Sequence, residues 1–88
     1  MELKAIIYKI GEVENISDKF RKREIILKLE GEYPQHITCQ LTNQKVDLFN
    51  GYSAGQEVNV SYNLRGKLYT NTQGEEKAIT NIEIWKIN

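Results

Sequence analysis

The chain has 88 residues and no net charge, with 12 Lys+Arg balancing 12 Asp+Glu, so bulk charge announces no nucleic-acid or acidic partner. That length holds one domain, residues 1–88, whose folding buries roughly 60–65% of the surface the unfolded chain exposes. A single cysteine, Cys39, excludes an internal disulfide and a Cys-rich zinc site, and no apolar run approaches the ~20 residues of a membrane span. The opening Met1-Glu2-Leu3-Lys4 has no basic n-region, so no secretory leader is expected and a cytoplasmic protein without membrane contact follows.

The apolar inventory favours strands. Ile outnumbers Leu by 11 to 7, and Ala occurs only 3 times. β-Branched side chains are stiff at χ1 and pack well on a pleated surface, whereas Ala is the best helix former.

In chain order, residues 3–16 read as a long strand with Ile6, Tyr8 and Ile10 on one face; Tyr8 is expected in the core or lining the barrel. Gly11 interrupts the alternation, as a glycine at a bulge or sharp bend does. Residues 21–30 form the second strand, with Arg23, Ile25, Leu27 and Leu29 on one face and Phe20, Lys22, Glu24, Ile26 and Lys28 on the other. Gly31 and Pro34 end it in a turn. Residues 36–41 alternate strictly, Ile37, Cys39 and Leu41 facing inward. Asn43 is expected to cap a short helix over residues 44–49, with Val46 and Phe49 facing the core and Asn50-Gly51 supplying the left-handed stop. A fourth strand from 57 to 64 places Val58, Val60, Tyr62 and Leu64 inward and continues past Gly66 to Tyr69. Residues 71–76 make a polar hairpin loop, and a last strand, 78–87, carries Ile82, Ile84, Trp85 and Ile87, with Trp85 expected in the core.

One short helix between the third and fourth of five strands is the order of the oligonucleotide/oligosaccharide-binding (OB) barrel. The rival architecture is a small sandwich or open sheet with one helix packed on it.

Catalytic chemistry finds few tools. His36 and Cys39 are the only residues of their types, and three residues apart on a strand they point to opposite faces, so they form no nucleophile–base pair. One His and one Cys cannot complete a zinc shell, the acidic residues lack EF-hand spacing, and the glycines stand singly rather than in a phosphate loop. No enzyme activity, cofactor or metal is expected.

The placement of charge is more informative. Lys19-Phe20-Arg21-Lys22-Arg23 sets four cations around one aromatic ring in the first turn. Arg65, Lys67 and Tyr69 follow on the fourth strand, with Lys77 across the hairpin. In an OB barrel these two segments flank the face of strands two and three, so the patches are expected to border one groove, phosphates meeting cations and bases meeting rings. The bland alternative is a solvated run of lysines and arginines that keeps strand edges from aggregating.

Phe20-Arg21-Lys22-Arg23-Glu24, Tyr33-Pro34-Gln35, Lys45-Val46-Asp47-Leu48, Tyr62-Asn63-Leu64-Arg65-Gly66 and the closing Asn81-Ile82-Glu83-Ile84-Trp85-Lys86-Ile87 fall in the order seen in a group of short bacterial and phage proteins classed as a domain of unknown function. That group resembles single-stranded-DNA-binding proteins of OB fold. The resemblance covers nearly the whole chain and implies OB architecture and single-strand binding. Leu68-Tyr69 and Ala78-Ile79 depart from the pattern, standing in place of bulkier aromatics, and no acidic recruitment tail is expected after Asn88. Aromatic strings of the kind that read RNA sequence are absent, which favours DNA over RNA.

The expected function is therefore largely sequence-independent binding of single-stranded DNA by a basic and aromatic groove on an OB barrel. Lys19, Arg21, Lys22, Arg23, Lys28, Arg65, Lys67 and Lys77 would meet phosphates, and Phe20, Tyr69 and Tyr33 would meet bases. The competing expectation is a protein–protein assembly module, pairing through an open edge of the first strand and an exposed Ile26. A homo-oligomer suits either.

Overall fold

The computed structural model describes all 88 residues. Five strands, β1 (Glu2–Ser17), β2 (Phe20–Leu29), β3 (Gln35–Thr42), β4 (Glu57–Thr70) and β5 (Glu76–Ile87), close into a barrel in the order β1-β2-β3-β5-β4. All neighbours are antiparallel except β3 and β5, which run parallel and pair at Gln40 and Glu83. This is the OB barrel. No helix is long and apolar enough to cross a membrane.

The strict alternation of β2 and β3 is what the backbone uses. Ile25 pairs with Cys39, Leu27 with Ile37 and Arg23 with Leu41, so these residues share the inner face. Ile25, Leu27, Cys39 and Leu41 are buried there, and burial pushes the Cys39 thiol up to about 11. Such a thiol stays protonated at neutral pH and serves as a small apolar side chain. Lys22, Glu24, Ile26 and Lys28, with their partners Thr42, Gln40, Thr38 and His36, share the outer face.

β1 reverses the expected assignment. Ala5 and Ile7 are buried, while Tyr8 is 56% exposed. Ile7 pairs with Leu27 and Lys9 with Ile26, leaving Tyr8 as the extra residue of a bulge. A bulge shifts the side-chain parity by one, so Ile6 and Tyr8 face out whereas Ile10 returns to the core side. A second register shift, between Ile10 and Val13, falls where Gly11 foretells it. A Cβ on Gly11 would sit 2.7 Å from the Glu24 carbonyl oxygen.

The expected open edge of β1 is closed along its first half. Residues Glu2 to Ile6 pair with β4, and backbone bonds join Ile7 to Gln56 and Gly55. At the seam, Asn88 Nδ2 donates to Ser61 Oγ and to Glu2 Oε1, which satisfies Ser61, the one buried polar residue.

The helix between β3 and β4 is a single 3-10 turn, Asn43–Asp47, packed against β2, β3 and β5. Val46 and the following Phe49 are fully buried, as their spacing predicts. Asn43 does not cap the turn. It is the turn's first residue, at φ 52°, and its side chain accepts a hydrogen bond from the Arg21 backbone N–H instead. Gly51, at φ 87°, supplies the left-handed stop.

β4 and β5 run on past the barrel as a two-stranded arm, paired from Leu64–Ile82 to Thr70–Glu76. Leu64 has the expected inward parity, yet it is exposed, standing at the start of the arm where its partner Ile82 is the last β5 residue packed against the core. Trp85 is not core either. Ser61 pairs with Lys86 and Tyr62 with Ile84, so Trp85 is the extra residue of another bulge and is 42% exposed.

Candidate nucleic-acid interface

Strand parity divides the basic cluster of the first turn in two. Arg21 and Arg23 carry the parity of Ile25, so they point toward the 3-10 turn and not to the outer face. Arg23 donates from Nε to the Gly11 carbonyl at 2.7 Å, and from one terminal nitrogen to the Val46 carbonyl at 3.2 Å and Asn50 Oδ1 at 3.1 Å. Through Nε and that terminal nitrogen its guanidinium ties the β1 bulge to the 3-10 turn. Arg21 donates to the Asn43 carbonyl at 3.3 Å. Lys22 lies on the outer face opposite Glu14, and Lys19 and Phe20 occupy the hairpin tip.

The outer face continues without a break into the arm. Gln40 is outward and pairs with Glu83, and Glu83 pairs with Asn63. Stepping by two along β4 places Arg65, Lys67 and Tyr69 on the same face, with Asn81, Ile79 and Lys77 as their partners. Tyr69 and Lys77 are directly opposite one another. The cations expected on this hairpin therefore form one stripe with a ring at its end. Arg65 Nε lies 3.2 Å from Glu83 Oε2, while the guanidinium stays largely exposed. Lys4–Glu57 is the other ion pair of the molecule, so Lys19, Lys22, Lys28, Lys67 and Lys77 carry no carboxylate partner.

Register also fixes which end of the face each patch occupies. Lys22 is level with Thr42, at the end of β3 where the 3-10 turn begins, and Lys28 is level with His36 at the other end. Because β5 runs parallel to β3, the arm preceding Glu83 extends past the His36 end. The two patches thus stand at opposite rims of one face. Between them lies a shallow hollow of about 220 Å³ lined by Lys9, Glu12, Glu14, Glu24, Ile26 and Thr38. Three carboxylates against one lysine repel phosphate, so the floor is not the continuous positive lane expected from sequence. No three His, Cys, Asp or Glu side chains converge as a metal site.

Ring systems are distributed unlike the expectation. Phe20 and Tyr69 are exposed at the two rims, and Tyr33, 80% exposed, stands in the turn between β2 and β3. The sequence reading missed Tyr8, whose ring meets His36 with centroids 4.6 Å apart and planes at 79°. Nothing in the local sequence marks the bulge that turns Tyr8 outward. Trp85 was missed for the same reason.

A closed five-stranded barrel with this strand order, carrying cations on an outer face and a projecting hairpin, is an OB-fold domain. The family model described as "Domain of unknown function (DUF3127)" matches residues 2–88, and the chain belongs to that family. No curated protein matches it. Among solved structures the barrel is similar to a crystal structure of the mitochondrial single-stranded DNA binding protein Rim1 from S. cerevisiae, with a TM-score of 0.72 and 14% identity. A second, selenomethionine-labelled crystal structure of Rim1 gives 0.63 and 15%. Each alignment covers 100% of this chain and 90% of the yeast chain. At such identity the likeness shows the fold.

Proposed function

We propose that this protein binds single-stranded DNA, in preference to RNA and with little regard for sequence, along the arm end of its outer face. The observation that carries the reading is the stripe Arg65, Lys67 and Tyr69, with Lys77 opposite, on the same outer face as Lys28. Cations at alternate positions of an exposed ribbon meet successive phosphates, and the ring offers any base a stacking surface. The fold shared with Rim1, a mitochondrial single-stranded DNA binding protein of S. cerevisiae, supports the same ligand class. The arm end is chosen because the acidic hollow separates it from Lys19 and Lys22.

Four phosphate-contacting cations, at about 0.7 each for a single strand, give a log–log salt slope near −3. Affinity for oligo(dT) should then fall roughly fiftyfold between about 50 and 200 mM salt. A fluorescence titration at both concentrations tests this, and no binding at the lower salt refutes it.

A second reading is favoured by the arm's other face. Leu64, Leu68 and Ala78 are exposed there, Leu68 at 66%. A two-stranded ribbon with an apolar face is marginal by itself in water, which suits assembly of several copies through their arms. Light scattering with and without oligonucleotide distinguishes the two. An oligomer indifferent to DNA, from a protein that does not bind it, would favour assembly alone.

A further inference from the structure

We propose that Tyr8 and His36 form the platform on which an unpaired base of the bound strand stacks, with Lys28 and Lys67 holding phosphates on either side. This rests on the single-strand reading above and adds to it a site that no residue of the basic stripe supplies.

Tyr8 is outside because of the bulge in β1, which leaves it unpaired between Ile7 and Lys9. β1 and β3 are separated by β2, so their backbones stand about 9–10 Å apart. The Tyr8 ring therefore approaches the His36 ring to 4.6 Å by lying across β2. On the outer face of β2, half-buried Ile26 pairs with Lys9 and Thr38, the neighbours of this crossing. Planes at 79° make a corner, one ring presenting its face and the other its edge. A flat base fits such a corner, stacking on one ring and meeting the other edge to face, both favoured aromatic geometries. Solvating this pair leaves apolar surface wet in a domain whose core is small, and a base would cover it.

The cations stand on the same face. Lys28 is the Cα partner of Ile6 on one side and of His36 on the other, so it lies within the platform's own row. β3 and β5 pair at Gln40 and Glu83, and the residues preceding both run toward the His36 end, where Ile79 of the outer face pairs with Lys67. Lys28 and His36 thus form one row of the outer face, with Tyr8 reaching across to His36, and Lys67 stands on the same face of the adjoining arm. Glu24 pairs with Gln40, four residues farther along both strands, so the row stands about 13 Å from that carboxylate's position.

The test is a fluorescence titration of labelled oligo(dT), and of an abasic strand of equal length, against the full chain. Tyr8→Ala should weaken oligo(dT) binding about fivefold to one hundredfold and leave the salt slope unchanged. Tyr8→Phe should stay within about twofold, since stacking needs the ring and not the hydroxyl. On the abasic strand the Tyr8→Ala defect should vanish. Should Tyr8→Ala lower the melting temperature, His36→Ala, on an exposed side chain, carries the same comparison. If the wild type binds oligo(dT) and these variants bind it equally well, the platform is refuted while the single-strand reading stands. If the wild type binds no single strand at low salt, both fall.

Discussion

Arg23 separates a structural role from a binding role most sharply. Its guanidinium donates to two backbone carbonyls, Gly11 at 2.7 Å and Val46 at 3.2 Å, and to the Asn50 side chain at 3.1 Å. Hydrogen bonds from a charged group contribute about 1.5–3 kcal/mol each, and a buried carbonyl left unpaired adds its own cost. The side chain is half-buried, and its contact with Asn50 is exposed. Counting the two backbone bonds at the low end, Arg23→Ala should cost about 3 kcal/mol. In a domain of this size each kcal/mol moves the melting midpoint by about 4–8 °C, so a fall of roughly 10–25 °C is expected by circular dichroism. Arg23→Lys should recover only part of it, because an ammonium cannot hold the fork of acceptors. At a temperature where the variant is folded, its salt slope for oligo(dT) should equal that of the wild type. A drop under about 4 °C, together with a slope shallower by about 0.7, would show that Arg23 meets phosphate and that its internal bonds matter little.

Other outcomes follow from the same geometry. Gly11→Ala places a methyl 2.7 Å from the Glu24 carbonyl, a backbone clash that should cost about 1–3 kcal/mol in urea titration; no loss would mean the bulge yields freely. Phe49→Ala empties the fully buried site behind the 3-10 turn and should cost about 3–5 kcal/mol by the same assay. Cys39 should resist iodoacetamide in the native protein and react in urea, being buried with its thiol pushed from 9.0 to about 11. The unfolded chain ionises this thiol first, so its contribution to stability is complete below about pH 9 and is lost as pH rises through about 11. Comparing melts of the wild type and Cys39→Ala across that window isolates it. The double change Lys19→Ala, Lys22→Ala should leave oligo(dT) affinity within about twofold and the slope unaltered; a slope shallower by more than 1 would put the strand on the far rim.

The fold was legible where alternation was strict. β2 and β3 keep period two without interruption, so Ile25, Leu27, Cys39 and Leu41 were placed correctly, and so were Val46 and Phe49. Bulges defeat such reasoning, because one extra residue reverses every side chain beyond it. Gly11 advertised its bulge, whereas those at Tyr8 and Trp85 carry no glycine or proline and left no trace. Leu64 was misplaced differently: its parity is right, but it stands on the arm, at the margin of the core. For the candidate site, alternation already put Arg23 beside Ile25, on the core side. Its membership of a basic run in sequence concealed that it faces away from Lys22. The acidic hollow draws Glu12 and Glu14 from β1 and Glu24 from β2, residues that meet only through the β1–β2 register.

The central claim is that the outer face, from Lys28 to the arm, receives an unpaired nucleic-acid strand. Parallel titrations of wild-type protein with single-stranded DNA, single-stranded RNA and duplex DNA of equal length, at low salt, test it most directly. The account predicts the tightest binding to single-stranded DNA, weaker binding to RNA and the weakest to duplex, since stacking requires exposed bases. Equal affinity for duplex, or none for any of the three, would contradict it.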